Sequence, residues 1–257
     1  MRKTMLLAVL AATPVMAQKT PATGRDLLQT MRDAYGNHWF KTLTFVQTTT
    51  NTDSTGKEIK STWYESLRYT DAHGTQLRID VGDPKEGNGI LYTVDSLWAF
   101  RGGQQRAVRP SGNLLLPLVE GIYVEPVERS LKELGPTGID FSKPVVNGTW
   151  HGRPVWITGA TAAGDTTSPQ IWVDVQNKAV VRAMFSPVPG ATPVMDMHFE
   201  KVVLAGGGML ATRCEFYVAG KLEQAEDYND WKTDVALSPG LFEAATFSTA
   251  PHWAGKN

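Results

Sequence analysis

The chain has 257 residues, of which 42% are hydrophobic, and its 25 basic and 26 acidic residues leave a formal net charge of −1. No block of basic residues interrupts this balance, so nucleic acid is not an expected partner. The length and hydrophobic content fit a globular protein with one large β domain or two small ones, and no shift of composition marks a boundary between two.

The first 17 residues have the three regions of a secretory signal peptide. Arg2 and Lys3 carry positive charge, residues 5–10 are apolar, and Ala17 is the small residue that a signal peptidase requires. Because the apolar run is too short to span a bilayer, we expect export and cleavage after Ala17 rather than a membrane anchor. Residues 18–257 are then expected to form a single β domain.

An amphipathic helix is predicted near the start of the exported chain. Thr23 and Asp26 have the spacing of a capping box, in which two side chains and two backbone N–H groups exchange hydrogen bonds. Apolar residues recur at helical spacing as far as Tyr35, and Gly36 ends the run. The apolar stripe of this helix must lie on the sheet that follows.

From Thr42 onward the pattern has period two, which predicts strands joined by short turns. One group extends over residues 42–109 and a second over residues 145–231. Strands joined by tight turns pair with their neighbours in sequence, so the sheet is expected to be antiparallel. The pattern predicts about eleven strands and two or three helices.

The clearest strand signal lies at residues 169–187, where two strands flank a tight turn. Asn177 is placed in the turn because its side chain tolerates a left-handed backbone. After the turn, Val181 and Phe185 are predicted to share one face. Large apolar groups such as Trp172 occupy the other face too, so the sheet should be covered on at least one side.

Between the two strand groups, residues 114–123 form an apolar insert that is interrupted by Pro117. A short helix is predicted after it, at residues 126–134. The insert is too apolar for an exposed loop, and the open face of the sheet can cover it. Two hypotheses stay open: the insert completes the core, or it is a movable lid over a lipid-sized pocket.

Recognised catalytic motifs are lacking in this sequence. Ser54 and Lys57 match the spacing of the penicillin-binding proteins, but that chemistry places the serine at the start of a helix, whereas Ser54 lies in a predicted hairpin turn. Asp196 and His198 are predicted to share a strand face as a surface polar pair, without a third metal ligand. We therefore predict no catalytic residue, metal or cofactor.

Binding by burial of apolar surface fits the composition better, because each buried methylene contributes about 0.8 kcal/mol and no special motif is needed. The only cysteine, Cys214, cannot form an internal disulfide and is predicted to be buried in a strand. Large side chains on suitable strand faces and in the insert give the predicted ligand-binding set: Trp63, Leu77, Ile79, Tyr92, Trp98, Leu115, Leu118 and Trp172.

Several segments resemble a known family when their order is considered. A strand like Leu43-Thr44-Phe45 follows the first helix, D-S-L-W-A-F-R-G-G-Q lies in the meander, and the best-matching pieces are I-W-V-D-V-Q-N-K-A-V-V-R at 171–182 and the segment at 235–242. The chain resembles the LolA-like family of periplasmic outer-membrane lipoprotein-sorting proteins. The resemblance implies a mainly β (α+β) fold: an incomplete antiparallel β-barrel of about eleven strands covered by two or three helices around a hydrophobic cavity.

The resemblance also implies a function without catalysis. A periplasmic carrier would bind a lipid or the acyl chain of a lipoprotein, with membrane-bound donor and acceptor proteins as further expected partners. The alternative is a periplasmic sensor or regulatory interaction module with the same fold. A hydrolase without a recognised motif is the third hypothesis.

Overall fold

The computed structural model describes residues 18–255, except 54, 111–112, 187, 189–190 and 193. The predicted signal peptide at residues 1–17 and the side chain of Ser54 lie outside the described residues. Within the described part of the chain, no helix has both the length and the apolar character needed to cross a membrane.

The predicted amphipathic helix is α1, Gly24–Tyr35, and its capping box is present. Thr23 Oγ1 accepts a hydrogen bond from Asp26 N at 3.2 Å, and Thr23 N donates to Asp26 Oδ2 at 3.0 Å. At the other end, Gly36 N donates to Arg32 O. In the apolar stripe of the helix, Leu27, Leu28 and Met31 are completely buried.

All thirteen strands of the described chain belong to one antiparallel sheet. Their bounds are β1 Thr42–Thr52, β2 Glu58–Thr70, β3 Gly74–Val81, β4 Gly89–Tyr92, β5 Ser96–Arg101, β6 Gln104–Pro110, β7 Val146–Trp150, β8 Arg153–Thr158, β9 Gln170–Asp174, β10 Val180–Phe185, β11 Met195–Ala205, β12 Gly208–Val218 and β13 Lys221–Thr233. About eleven strands were predicted and thirteen are present; a strand as short as β7, with 5 residues, gives little alternation to count.

The strand order is β6-β5-β4-β3-β2-β1-β13-β12-β11-β10-β9-β8-β7. The first and last strands therefore pair in the middle of the sheet, with Leu43 opposite Thr233, while β6 and β7 form its two edges. The sheet does not close on itself. The predicted fold class, an incomplete antiparallel β-barrel with a small helical cover, is confirmed.

One face of the sheet carries the main core, which is covered by α1, by the apolar insert and by two further helices, α2 at Ile122–Val124 and α3 at Val127–Leu134. Helix α1 packs against α2, α3 and β8, and the insert packs on β3. The insert is helical and contains a π-helical turn, Pro117–Gly121.

An aromatic cluster fixes the C-terminal half of the insert to the sheet. The Tyr123 ring stacks on Trp39 with centroids 4.0 Å apart and an interplanar angle of 7°, and Tyr35 packs edge-on against both rings. The Tyr123 hydroxyl accepts from Val180 N at 3.0 Å and donates to Lys178 O at 3.2 Å. This half of the insert belongs to the core.

The outer face has two smaller apolar clusters. The closing C-terminal segment buries Leu241, Phe242 and Phe247 against β4 and β5, where the Phe247 ring stacks on Phe100 with centroids 4.0 Å apart. The second cluster surrounds Trp172 on β8 to β10. The sheet is therefore covered on both sides over part of its area.

The hairpin β9–β10 forms as predicted, with two local corrections. Lys178, with φ of 57°, takes the left-handed conformation instead of Asn177, because the Asp174 side chain accepts from the backbone N–H groups of residues 176 and 177 and shifts the turn by one position. Val181 is the extra residue of a bulge, and it therefore packs with Trp172 on the outer face, not with Phe185.

Replacement of the N-cap residue tests the capping box. Thr23→Ala should lower the free energy of unfolding by roughly 1 kcal/mol, because Asp26 N loses its acceptor at the end of a helix. Thr23→Ser is the matched control, since it keeps the hydroxyl group. Denaturant titration of both variants measures the effect, and equal stabilities for Ala and Ser would contradict the assigned role of the capping box.

Candidate ligand cavity

A cavity of about 420 Å³ lies between the inner face of the sheet and the insert. Its volume is within the roughly 300–1,000 Å³ range of small-molecule sites. Both halves of the sheet supply apolar lining from strands β1 to β4 and β10 to β13. The apolar lining from the sheet includes Leu43, Phe45, Trp63, Leu67, Leu77, Ile79, Tyr92, Phe185, Met195, Met197, Met209, Leu210 and Phe216.

The N-terminal half of the insert forms the remaining wall. Leu114, Leu115 and Val119 are half-buried and line the cavity, whereas Leu118 and Ile122 are buried in the core. The two hypotheses for the insert, completion of the core and a movable lid, therefore apply to different residues within it. One set of side chains completes the core, and the other covers the cavity; movement of this cover remains a prediction.

Five of the eight side chains predicted from the sequence come together around this cavity. They are Trp63, Leu77, Ile79, Tyr92 and Leu115. The first three lie on neighbouring strands β2 and β3, Tyr92 pairs with Leu77 across β3 and β4, and Leu115 faces them from the insert. Their contact with a ligand stays a prediction.

The structure places the other three away from the cavity. Trp98 pairs with Leu91 and packs on the outer face under the C-terminal segment. Trp172 pairs with Ile157 and also faces outward. Leu118 is 0% exposed within the core. The predicted set was chosen by size and by the predicted strand face, but the actual strand register and helix rotation decide which side chains reach the cavity.

Three carboxyl groups in the lining were missed by the sequence analysis: Glu65, Glu120 and Glu226. Each of these residues is at most 5% exposed. Glu65 did give a signal, since it alternates with Trp63 and Leu67 on one face of β2. No lysine, arginine or histidine is among the described residues that line the cavity.

Comparison with solved structures finds the same architecture in proteins of very different sequence. A DUF1329 family protein from Desulfovibrio piger matches with a TM-score of 0.61 at 15% identity, over 87% of this chain and 97% of that one. A putative outer membrane lipoprotein-sorting protein domain from Vibrio parahaemolyticus matches with a TM-score of 0.60 at 10% identity, over 88% and 98% of the two chains.

A LolA superfamily protein from Nitrosomonas europaea matches with a TM-score of 0.52 at 16% identity, over 86% of this chain and 97% of that one. This chain has a LolA-like fold. The resemblance predicted from the order of its segments is confirmed at the level of the fold. No family model and no curated protein sequence matches the chain.

Two of the three carboxyl groups in the LolA-like cavity have partners. Glu120 Oε2 accepts from Trp39 Nε1 at 2.5 Å, and burial raises the pKa of Glu120 to about 8. Glu226 accepts from Gln224 Nε2 at 2.5 Å and from the Tyr228 hydroxyl at 2.8 Å. Burial also raises the pKa of Glu226.

Glu65 is different, because no side chain among the described residues donates a hydrogen bond to it. It pairs with Phe45 on one side and Ile79 on the other. Burial, and next the charge of Glu226, raise the pKa of Glu65 well above its ordinary value. Cys214 also lines the cavity and is buried as predicted; burial raises the pKa of its thiol.

Potential metal ligands do not converge anywhere in the described chain, the cavity included: it contains no group of three or more His, Cys, Asp or Glu side chains that could hold a metal ion. Asp196 and His198 lie on the outer face, where Arg182 donates to both Asp196 oxygens at 2.8 and 2.6 Å. His198 packs edge-on against Trp150. The predicted surface pair is thus part of a half-buried cluster.

The buried Glu120 carboxyl should make stability depend on pH. Its pKa is about 8 in the folded protein and 4.5 ordinarily, so between these values the unfolded chain loses a proton that the folded chain keeps. The contribution of Glu120 to the free energy of unfolding is therefore fully present at low pH. It falls by about 1.4 kcal/mol per pH unit as the pH rises through this range.

Glu120→Gln should remove this part of the pH dependence, because the amide stays neutral and can still accept from Trp39. Denaturant titrations at about pH 5 and about pH 8 measure the difference. Glu223→Gln, which removes an exposed carboxylate on β13, controls for the loss of one negative charge. Parallel stability curves for the wild type and Glu120→Gln would contradict the assignment.

Proposed function

We propose that this protein binds the acyl chain of a lipid or lipoprotein in its cavity and carries it through the periplasm towards the outer membrane, without catalysis. The cavity of about 420 Å³ between sheet and insert, lined largely by apolar side chains, carries this proposal. The LolA-like fold and the predicted signal peptide support it. One neighbouring structure is described as a lipoprotein-sorting domain, and the proposal extends that role to this chain.

The lining suits a flexible hydrocarbon chain. Burial of each methylene contributes about 0.8 kcal/mol, so a chain of ordinary length gains enough free energy without directional contacts. Met195, Met197 and Met209 supply unbranched, adaptable side chains to the wall. A wall of this kind can accommodate chains of different length and shape.

A carrier must also release its ligand, and the insert offers a route for this. Its C-terminal half is held by the Tyr123 hydrogen bonds, whereas Leu114, Leu115 and Val119 rest on the cavity itself. Outward movement of the N-terminal half would open the cavity while the aromatic cluster stays intact.

A chain-length series tests acyl-chain binding. Delipidated protein should bind fluorescent fatty-acyl probes with an affinity that rises about fourfold per added methylene, until the chain exceeds the cavity. Native mass spectrometry of the freshly purified protein should show a co-purified lipid. The absence of uptake, or an affinity independent of chain length, would overturn the proposal.

A blocking substitution locates the site. Val119→Trp adds a large side chain at the wall of the cavity and should reduce affinity for the acyl probe by roughly tenfold or more, since several buried methylenes are displaced. Val108→Trp on β6 is the matched control, because Val108 is 51% exposed and does not line the cavity. Equal affinities for the two variants would place the ligand elsewhere.

Transfer of bound lipid from the wild type to vesicles then separates a carrier from a protein that only retains its ligand.

A further inference from the structure

The Glu65 carboxyl group occupies an unusual position in the wall of the cavity. It lies in a row across the sheet between Phe45 and Ile79, and the alternation of β2 places Trp63 and Leu67 on either side along the strand. All four neighbours line the cavity with it. A carboxyl group is therefore set into the middle of an apolar wall.

The Glu65 carboxyl group makes no side-chain hydrogen bond within the described residues. It is 5% exposed, and no described side chain donates a hydrogen bond to it, in contrast to Glu120 and Glu226, which have donors from Trp39 and from Gln224 and Tyr228. A polar group buried without a partner destabilises the folded protein. This suggests that the partner of the Glu65 carboxyl group is supplied by a ligand.

The surroundings of Glu65 indicate the charge of that partner. The titratable groups facing the cavity from every element packed around Glu65 are acids, and none of the described lining residues is basic. An anionic head group inside the cavity would meet only like or neutral charges, which weakens binding. The facing groups are Glu226 and Tyr228 on β13, Cys214 on β12, Tyr92 on β4 and Glu120 in the insert.

Aromatic rings accompany the carboxyl group. Phe45 lies opposite Glu65 on β1, Trp63 lies two residues before it, and Tyr92 lines the same wall from β4. Aromatic faces attract cations through their ring quadrupole, and aromatic side chains form the usual surroundings of bound ammonium groups. A carboxylate with aromatic neighbours in a desolvated wall is suited to an ammonium ion.

We propose that the cavity selects amphiphiles whose head group is an ammonium ion, with Glu65 as the carboxylate that pairs with it and Phe45, Trp63 and Tyr92 as its aromatic surroundings. This inference rests on the acyl-chain binding proposed above and assigns the head group of the ligand. The aliphatic tail lies along the methionine-rich wall, and the head reaches the interior of the cavity.

Ligand entry is coupled to a proton. Burial, and next the charge of Glu226, raise the pKa of Glu65 in the empty cavity and so favour its neutral form, whereas an ammonium head group favours the carboxylate and the loss of the proton to the solvent. Binding of an alkylammonium ion should therefore release a proton and tighten as the pH rises, whereas binding of an uncharged alcohol should do neither.

Head-group selection is tested with three probes of equal chain length. Dodecylammonium, dodecanoate and dodecanol, each below its micelle-forming concentration, compete at about pH 8 with a fluorescent naphthylamine dye for the wild type, Glu65→Gln and Glu223→Gln. The wild type and Glu223→Gln should bind dodecylammonium roughly tenfold or more tightly than dodecanoate, because a charge-assisted hydrogen bond is gained. Glu65→Gln should lose this preference, and calorimetry in two buffers should show proton release for the wild type only with dodecylammonium.

The outcomes separate the two proposals. Binding of all three probes with equal affinity by the wild type would overturn head-group selection and leave acyl-chain binding supported. A preference that survives in Glu65→Gln would remove Glu65 from the recognition of the head group. If none of the three probes binds to a folded wild-type protein, acyl-chain binding itself is wrong.

Discussion

The pairing of β1 with β13 determines where a cavity can form. Because the first and last strands meet in the middle of the sheet, the two meanders extend from this seam in opposite directions and share one inner face. Helix α1 precedes β1 and the insert follows β6. Because α1 packs on β8 and the insert packs on β3, the cover contacts both halves of the sheet. The lining accordingly comes from both halves of the sheet and from the insert.

The cover has two parts with different physical roles. Trp39 and Tyr123 stack directly on each other, and Tyr35 adds a hydrogen bond from its hydroxyl to Asn177 O, so one end of the insert is tied to α1 and to the β9–β10 turn. Closely packed aromatic contacts of this kind resist gradual displacement. At the other end of the insert, Leu114 and Leu115 line the cavity. We expect a cover that is fixed at one end and half-buried at the other to open without unfolding the core.

The order of elements was accessible from the sequence because capping, period and turn residues are local signals. The capping box of Thr23, the π-containing insert as an apolar segment and the β9–β10 hairpin all follow from residues close together in the chain. Which face a strand residue occupies is not local. Tyr92 and Trp98 both suit a cavity by size, but the β4–β5 register pairs Tyr92 with Leu97 and therefore turns Trp98 outward. The bulge at Val181 likewise moves this side chain to the outer face, and the local sequence pattern does not predict the bulge.

The acidic residues show the opposite case. The sequence shows that an acidic residue interrupts an apolar strand face, but only the structure shows that this face lines the cavity. A glutamate between Trp63 and Leu67 on one face of β2 contradicts the apolar alternation that builds the sheet. On an exposed face a glutamate would be solvated and would not destabilise the sheet. On the inner face it places a carboxyl group where a leucine would pack and stabilise the wall. Glu120 and Glu226 have internal donors that offset their burial. No described side chain donates to Glu65, and in the function we propose its partner is the head group of the ligand. The stability of the empty protein and the affinity for its ligand are therefore opposed at this one position, and a substitution that improves the first should weaken the second.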